Sequence, residues 1–114
     1  MKRPDVLRYK KDFNRLYSRG KSSGSRYVVV FFANNKLDFN RKAFLASKKV
    51  GNSVARNRAR RLMKEAFRQM EAEMPVGYDL LFIARSTISE AKCEDVLKSI
   101  RHVFNKAGLV SGQR

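Results

Sequence analysis

The residues with the most chemical potential in this chain are cations. Between Arg41 and Arg68 there are ten Lys or Arg and a single acid, Glu65. Arginine offers a planar fork of N–H donors that matches phosphate oxygens, and lysine a compact point charge. Such residues at that density suit holding a polyanion rather than breaking a bond. Groups for bond chemistry are scarce. His102 is the only histidine and Cys93 the only cysteine, which rules out histidine pairs, intrachain disulfides and cysteine-based metal clusters. The acids are few and scattered, with no paired carboxylates for general acid–base work. The run GNSVARN has one glycine and lacks the GxxxxGK[ST] spacing of a phosphate loop. His102 is expected as a partly buried helix histidine with a local hydrogen bond, and Cys93 as a helix-surface or half-buried thiol. No catalytic residue and no metal ligand is assigned.

The cations need an element to array them. At about 100° per residue, Ala55, Ala59, Leu62, Met63, Ala66, Phe67 and Met70 form one apolar arc. Asn57, Arg61, Lys64 and Arg68 form a narrow stripe on the far side, flanked by Arg60 and Arg58. A merely solvated helix face intersperses both signs of charge; this one hardly does. The helix, over about 53–73, is built to lie along a polyanion.

The whole chain agrees. It has 114 residues, 43% of them hydrophobic, enough for one domain (1–114) with one modest core and too apolar for a disordered basic tail. Its net charge is +16, which favours an external polyanion that releases counterions on binding. Nucleic acid leads, and an anionic membrane surface is the rival. The longest apolar run, Tyr27 to Ala33, is too short to span a bilayer. The start, MKRPDVLRYKKDF, lacks a secretory h-region. The expectation is a soluble, cytoplasmic protein.

Around the basic helix the elements read as follows. Residues 9–19 form an amphipathic helix with Phe13, Leu16 and Tyr17 on one side, stopped by Gly20, and KSSGS reads as a loop. Tyr27 to Phe32 is a β-branched and aromatic strand with two usable faces. Lys42 to Ser47 is extended, Asn52 or Ser53 caps the basic helix, and Tyr78 to Ala84 is a buried strand. Thr87 with Glu90 fits a capping box opening a last helix over about 88–107, closed by Gly108. Strand, helix, strand in that order suggests a βαβ unit in a small α+β sandwich. The alternation fixes neither strand order nor crossover hand. Phe13, Tyr17 and Phe31 have two fates, core packing or platforms for unstacked bases beside a cationic groove.

Several of these runs resemble one family. Ser47-Lys48-Lys49-Val50-Gly51-Asn52, then Val54 and Arg56-Asn57-Arg58, continuing through Arg60, Arg61, Leu62, Glu65 and Phe67, is similar to the signature of bacterial ribonuclease P protein components. Phe13 with Tyr17 and Gly20 resembles that family's start. Tyr78-Asp79 with Ile83-Ala84-Arg85 resembles its late strand, and His102-Val103-Phe104 with Lys106 and Leu109 its last helix. Ala43 departs from a frequent glycine. The VVVFF strand departs too, with only Phe31 matching an aromatic the family uses.

The resemblance implies an α+β two-layer sandwich, with a small sheet of about four strands and three helices. Its βαβ unit would have a left-handed crossover, against the general rule. It implies the protein subunit of a ribonucleoprotein endonuclease that removes the 5′ leader from precursor tRNA. Chemistry would be carried by the RNA subunit with Mg²⁺ bound mainly by RNA and substrate, and the protein would lower the Mg²⁺ requirement. Lys48, Lys49, Arg56, Asn57, Arg58, Arg60, Arg61, Lys64 and Arg68 would contact the catalytic RNA. Phe13, Tyr17 and Phe31, with Lys10 and Arg15 as phosphate neighbours, would line a cleft for the leader. No membrane and no obligate protein partner is expected. The remaining readings are a structural RNA-binding protein of ribosomal type, which would lack the SKKVGN…RNR block, and a protein-only nuclease or DNA-binding regulator. A nuclease would need a carboxylate or histidine cluster; a regulator, a helix-turn-helix pair.

Overall fold

A computed structural model describes residues 5–109. The elements run α1 (Lys10–Arg19), β1 (Lys21–Gly24), β2 (Val28–Asn34), β3 (Arg41–Leu45), α2 (Ser53–Met70), β4 (Tyr78–Ala84) and α3 (Cys93–Ala107). Short 3₁₀ turns follow α2 at Glu71–Glu73 and precede α3 at Ser86–Glu90. The four strands form one mixed sheet in the order β1-β2-β4-β3. β2 is antiparallel to both neighbours, while β3 and β4 are parallel and joined through α2, giving the βαβ unit.

β2 and β4 are made of residues that suit a pleated, half-buried surface. Alternation sorts their side chains by face. Val28, Val30 and Phe32 with Leu80, Phe82 and Ala84 lie in the main core, together with Met63, Phe67 and Met70 of α2 and Val96, Ile100, Val103 and Phe104 of α3. Phe82 is at its centre, 4.8 Å from the rings of Phe44 and Phe67 and 6.0 Å from that of Phe104. Each fully buried phenylalanine or leucine there contributes about 1.5–3 kcal/mol of transfer free energy.

The opposite face carries Phe31 and Ala33 of β2, Leu81 and Ile83 of β4 and Ala43 of β3. It is covered by α1 through Leu16 and Phe13, together with Leu7. Coverage is incomplete. The row Val29–Ile83–Leu45, aligned by the strand registers, stays half-buried or exposed.

Two expectations change, and a third holds for a different reason. KSSG is an edge strand, not a loop: Lys21–Gly24 pairs with Val29–Phe32 through backbone groups, which polar side chains do not prevent. A short, lysine-bearing strand is also how sheets blunt their edges. The last helix begins at Cys93 rather than near 88. Thr87 donates to the Arg26 carbonyl instead of capping, and the helix start is tied by Asp95, whose Oδ2 accepts from Lys92 N at 2.9 Å. Gly20 ends α1 with an ordinary φ of −76°. Its reason is space, since a Cβ there would come 2.6 Å from the Leu16 carbonyl oxygen and 3.0 Å from that of Phe32.

Candidate nucleic-acid interface

The turn before α2 fixes where the cations begin. Val50 N donates to the Ser47 carbonyl, and Gly51, at φ 148°, reverses the chain into the helix. Asn52 then caps α2, its Oδ1 accepting from Ala55 N at 2.9 Å. That places Ala59, Met63, Ala66, Phe67 and Met70 in the core and leaves Asn57, Arg61, Lys64 and Arg68 exposed.

The exposed stripe is one wall of a groove of about 900 Å³. Asn57, Arg60, Arg61, Lys64 and Arg68 line that side. β3 supplies Lys42–Leu45, and the segment Asp5–Leu7 with Phe13 closes the other side. Phe44 and Phe67 contribute an apolar floor. The groove wraps the outer edge of β3, because its lining includes Ala43 and Leu45 from one face of the sheet and Lys42 and Phe44 from the other. At one end Lys42 Nζ bridges Asp5 at 3.0 Å and Glu71 at 2.7 Å. Those two contacts raise its pKa against the lowering effect of burial, which is the largest single influence.

Within the stripe, Arg60 donates to Asn57 Oδ1. Arg68 grips Glu65 with two bonds of 3.0 and 2.6 Å, and these hydrogen bonds hold the Glu65 carboxyl below its usual range. The pair is exposed, so exchanging Glu65 for a phosphate costs little.

The remaining basic residues of the RNA-contact set are elsewhere. Lys48 and Lys49 are exposed in the turn at the N-terminal end of α2. Arg56 and Arg58 are half-buried and bond backbone oxygens, Arg56 Nη1 to Gly51 at 3.1 Å and Arg58 Nη2 to Ala91 at 2.7 Å. They brace the turn before α2 and the chain leading into α3.

The aromatic set comes together in part. The Tyr17 ring meets Phe31 edge-on at 5.1 Å and 80°. Phe31 is a half-buried part of the sheet face, whereas Tyr17 is 50% exposed. Phe13 packs against the Leu7–Leu16–Leu81 cluster and also lines the groove. Lys10 is exposed at the start of α1. Arg15 is engaged: its guanidinium pairs with Asp79 and also reaches the Asn34 carbonyl at 3.4 Å.

Asp79 is the group that reading the chain missed as part of the site. It is fully buried and also receives Arg41 Nε at 2.8 Å, Arg41 Nη2 at 2.7 Å and Asn35 Nδ2 at 2.9 Å. The hydrogen bonds that Arg41 donates to Asp79 raise the Arg41 pKa above its ordinary value. The available signal was one acid inside the apolar run YDLLFIA.

His102 is exposed rather than partly buried, beside Tyr27, Lys98 and Ser99 in a shallow depression. Cys93 is half-buried at the start of α3. Among the described residues, no three His, Cys, Asp or Glu side chains converge as metal ligands, and no helix is long and apolar enough to cross a membrane.

Comparison with known proteins points one way. The ribonuclease P family model matches residues 1–108. A ribonuclease P protein component from Thermoanaerobacter sp. (strain X514) is 40% identical over 112 residues, covering 96% of this chain and 97% of the relative. One from Pelotomaculum thermopropionicum is 42% identical over 107 residues, covering 94% and 96%. The solved RNase P protein of Staphylococcus aureus superposes with a TM-score of 0.84 at 30% identity, over 96% of this chain and all of that one.

Proposed function

The chain belongs to the ribonuclease P protein family, and we propose that it acts as the subunit that holds the catalytic RNA and the 5′ leader of precursor tRNA together during leader removal. The α2 stripe, with Lys48 and Lys49, takes the phosphates of the catalytic RNA. The partly open sheet face, walled by Phe13 and Tyr17 and floored by Phe31, takes the single-stranded leader. The observation that carries this reading is the groove around the β3 edge, in which the cationic stripe and Phe13 are walls of one space.

No group of this chain is assigned to bond breaking. Mg²⁺, held by RNA and substrate, supplies activation of the attacking water and stabilisation of the departing oxygen. The groove's lining mixes apolar side chains with five Lys or Arg, and its two acids, Asp5 and Glu71, both pair with Lys42, so it does not present the oxygen ligands a hard cation requires. What the protein supplies is neutralisation. Lysine and arginine beside crowded phosphates replace counterions that Mg²⁺ would otherwise provide, so less of the metal is needed. A leader cleft with aromatic platforms adds about 1–3 kcal/mol for each stacked base, and only to substrates that still carry a leader. Acting on precursor tRNA places the protein in the cytoplasm.

Two substitutions separate these roles. Arg61→Ala should weaken assembly with the catalytic RNA at every substrate and reduce the slope of log affinity against log salt by about one. Tyr17→Ala should leave assembly unchanged and weaken binding of leader-bearing precursor relative to mature tRNA. Titrations of catalytic RNA at several salt concentrations, and of both tRNA forms with the assembled enzyme, read the two effects. Interchanged or identical phenotypes would remove the division of labour.

A further inference from the structure

Helix α1 carries two of the three leader-cleft aromatics, yet it is only ten residues long and its start at Tyr9 makes no side-chain cap. A helix that short does not hold itself in water, so its placement depends on what ties it to the sheet. On the apolar side Leu16 is fully buried and Phe13 packs beside it. On the polar side the ties converge on Asp79 of β4, whose carboxylate oxygens accept from Arg15 of α1, from Arg41 of β3 twice, and from Asn35 in the β2–β3 connection. Arg41 also lies 3.6 Å from Asp12 of α1. A carboxylate has roughly four acceptor positions, and Asp79 has all of them in use.

The geometry around the helix axis gives this clamp a consequence. At about 100° per residue, Leu16 faces the sheet, Arg15 lies on one flank and Tyr17 on the other. Holding Arg15 down on its flank therefore fixes how far Tyr17 leans over Phe31 on the opposite one. Buried ion pairs add little net stability against apolar replacements of equal volume. Here one of the carboxylate oxygens, Asp12 Oδ2, is buried with no hydrogen-bond partner. Such a cluster does more to specify an arrangement than to stabilise the fold.

We propose that Asp79 is a positioning residue of the leader cleft, acting through Arg15 and Arg41 to set the rotation of α1 and so the placement of Tyr17 against Phe31. This rests on the reading of that cleft as the leader site.

The test uses the protein assembled with catalytic RNA and compares its affinity for precursor tRNA with that for mature tRNA. The ratio isolates the leader. Asp79→Asn keeps the size of the side chain but not its charge, and should lower the ratio by about tenfold, the share of one misplaced stacking platform. Affinity for mature tRNA and for the catalytic RNA should be unchanged. Arg15→Met leaves the Asp79–Arg41 pair in place, so it carries the test if Asp79→Asn does not fold. Arg15→Lys, which keeps the charge without the fork, should restore part of the ratio. A folded Asp79→Asn protein with the wild-type ratio, or an equal loss for mature tRNA, would overturn the proposal while leaving the leader reading standing. Absence of any leader preference in the wild-type protein would instead remove that reading and the proposal with it.

Discussion

Arg58 and Arg61 are three residues apart on one helix and have different partners. Arg61 is exposed in the groove, whereas Arg58 is half-buried and donates to the Ala91 carbonyl at 2.7 Å. Arg58→Ala should therefore lower the thermal stability of the free protein by about 2 kcal/mol, the usual worth of a hydrogen bond from a charged donor. Its RNA complex should keep more of its salt dependence than that of Arg61→Ala. A thermal melt and a salt titration of the same sample check both statements. Sequence alone placed both in one flanked stripe because helical angle reports direction, not what lies in that direction. The Ala91 carbonyl is 33 residues away in the chain. The same limit hid the Asp79 cluster. An acid in an apolar strand is visible in the sequence, but its partners Arg15, Asn35 and Arg41 are 64, 44 and 38 residues distant.

At the scale of elements, legibility followed the source of each element's order. α2 declared itself because its apolar face repeats with the helical period, and Asn52 was among the two residues expected to cap it. β2 and β4 declared themselves by composition. β1 did not, because KSSG is ordered by the backbone of β2 and nothing in its side chains demands a strand. The start of α3 was misplaced because both Thr87–Glu90 and Lys92–Asp95 have a plausible N-terminal spacing, and only the second is in contact. The turn before α2 is the element whose disturbance should be most informative. Gly51 sits at φ 148°, and a Cβ there would lie 2.8 Å from the Ala55 Cβ. Gly51→Ala should cost about 1–3 kcal/mol in stability and displace Lys48 and Lys49 relative to the stripe. Chemical denaturation reads the first effect, and a loss of RNA affinity exceeding that of Lys48→Ala reads the second.

Over the whole molecule, the charge of +16 is unevenly committed. Asp5, Asp12, Glu71, Glu73 and Asp79 pair with Lys or Arg of other segments of the chain. Within the stripe on α2, Glu65 holds Arg68, which leaves Arg61 and Lys64 exposed there for an outside partner. The sheet separates two working surfaces, α2 on one face and α1 on the other, and the groove around the β3 edge connects them. In the proposed role, these two surfaces hold two stretches of RNA at once and the chemistry is left to one of them. That claim is tested most directly by cleavage of a 5′-extended precursor tRNA by bacterial ribonuclease P RNA at low Mg²⁺, with and without this protein. The account predicts cleavage at the mature 5′ end only when RNA and protein are both present, with rising Mg²⁺ progressively replacing the protein. Cleavage by the protein alone, or tight RNA binding with no stimulation at any Mg²⁺ concentration, would contradict it.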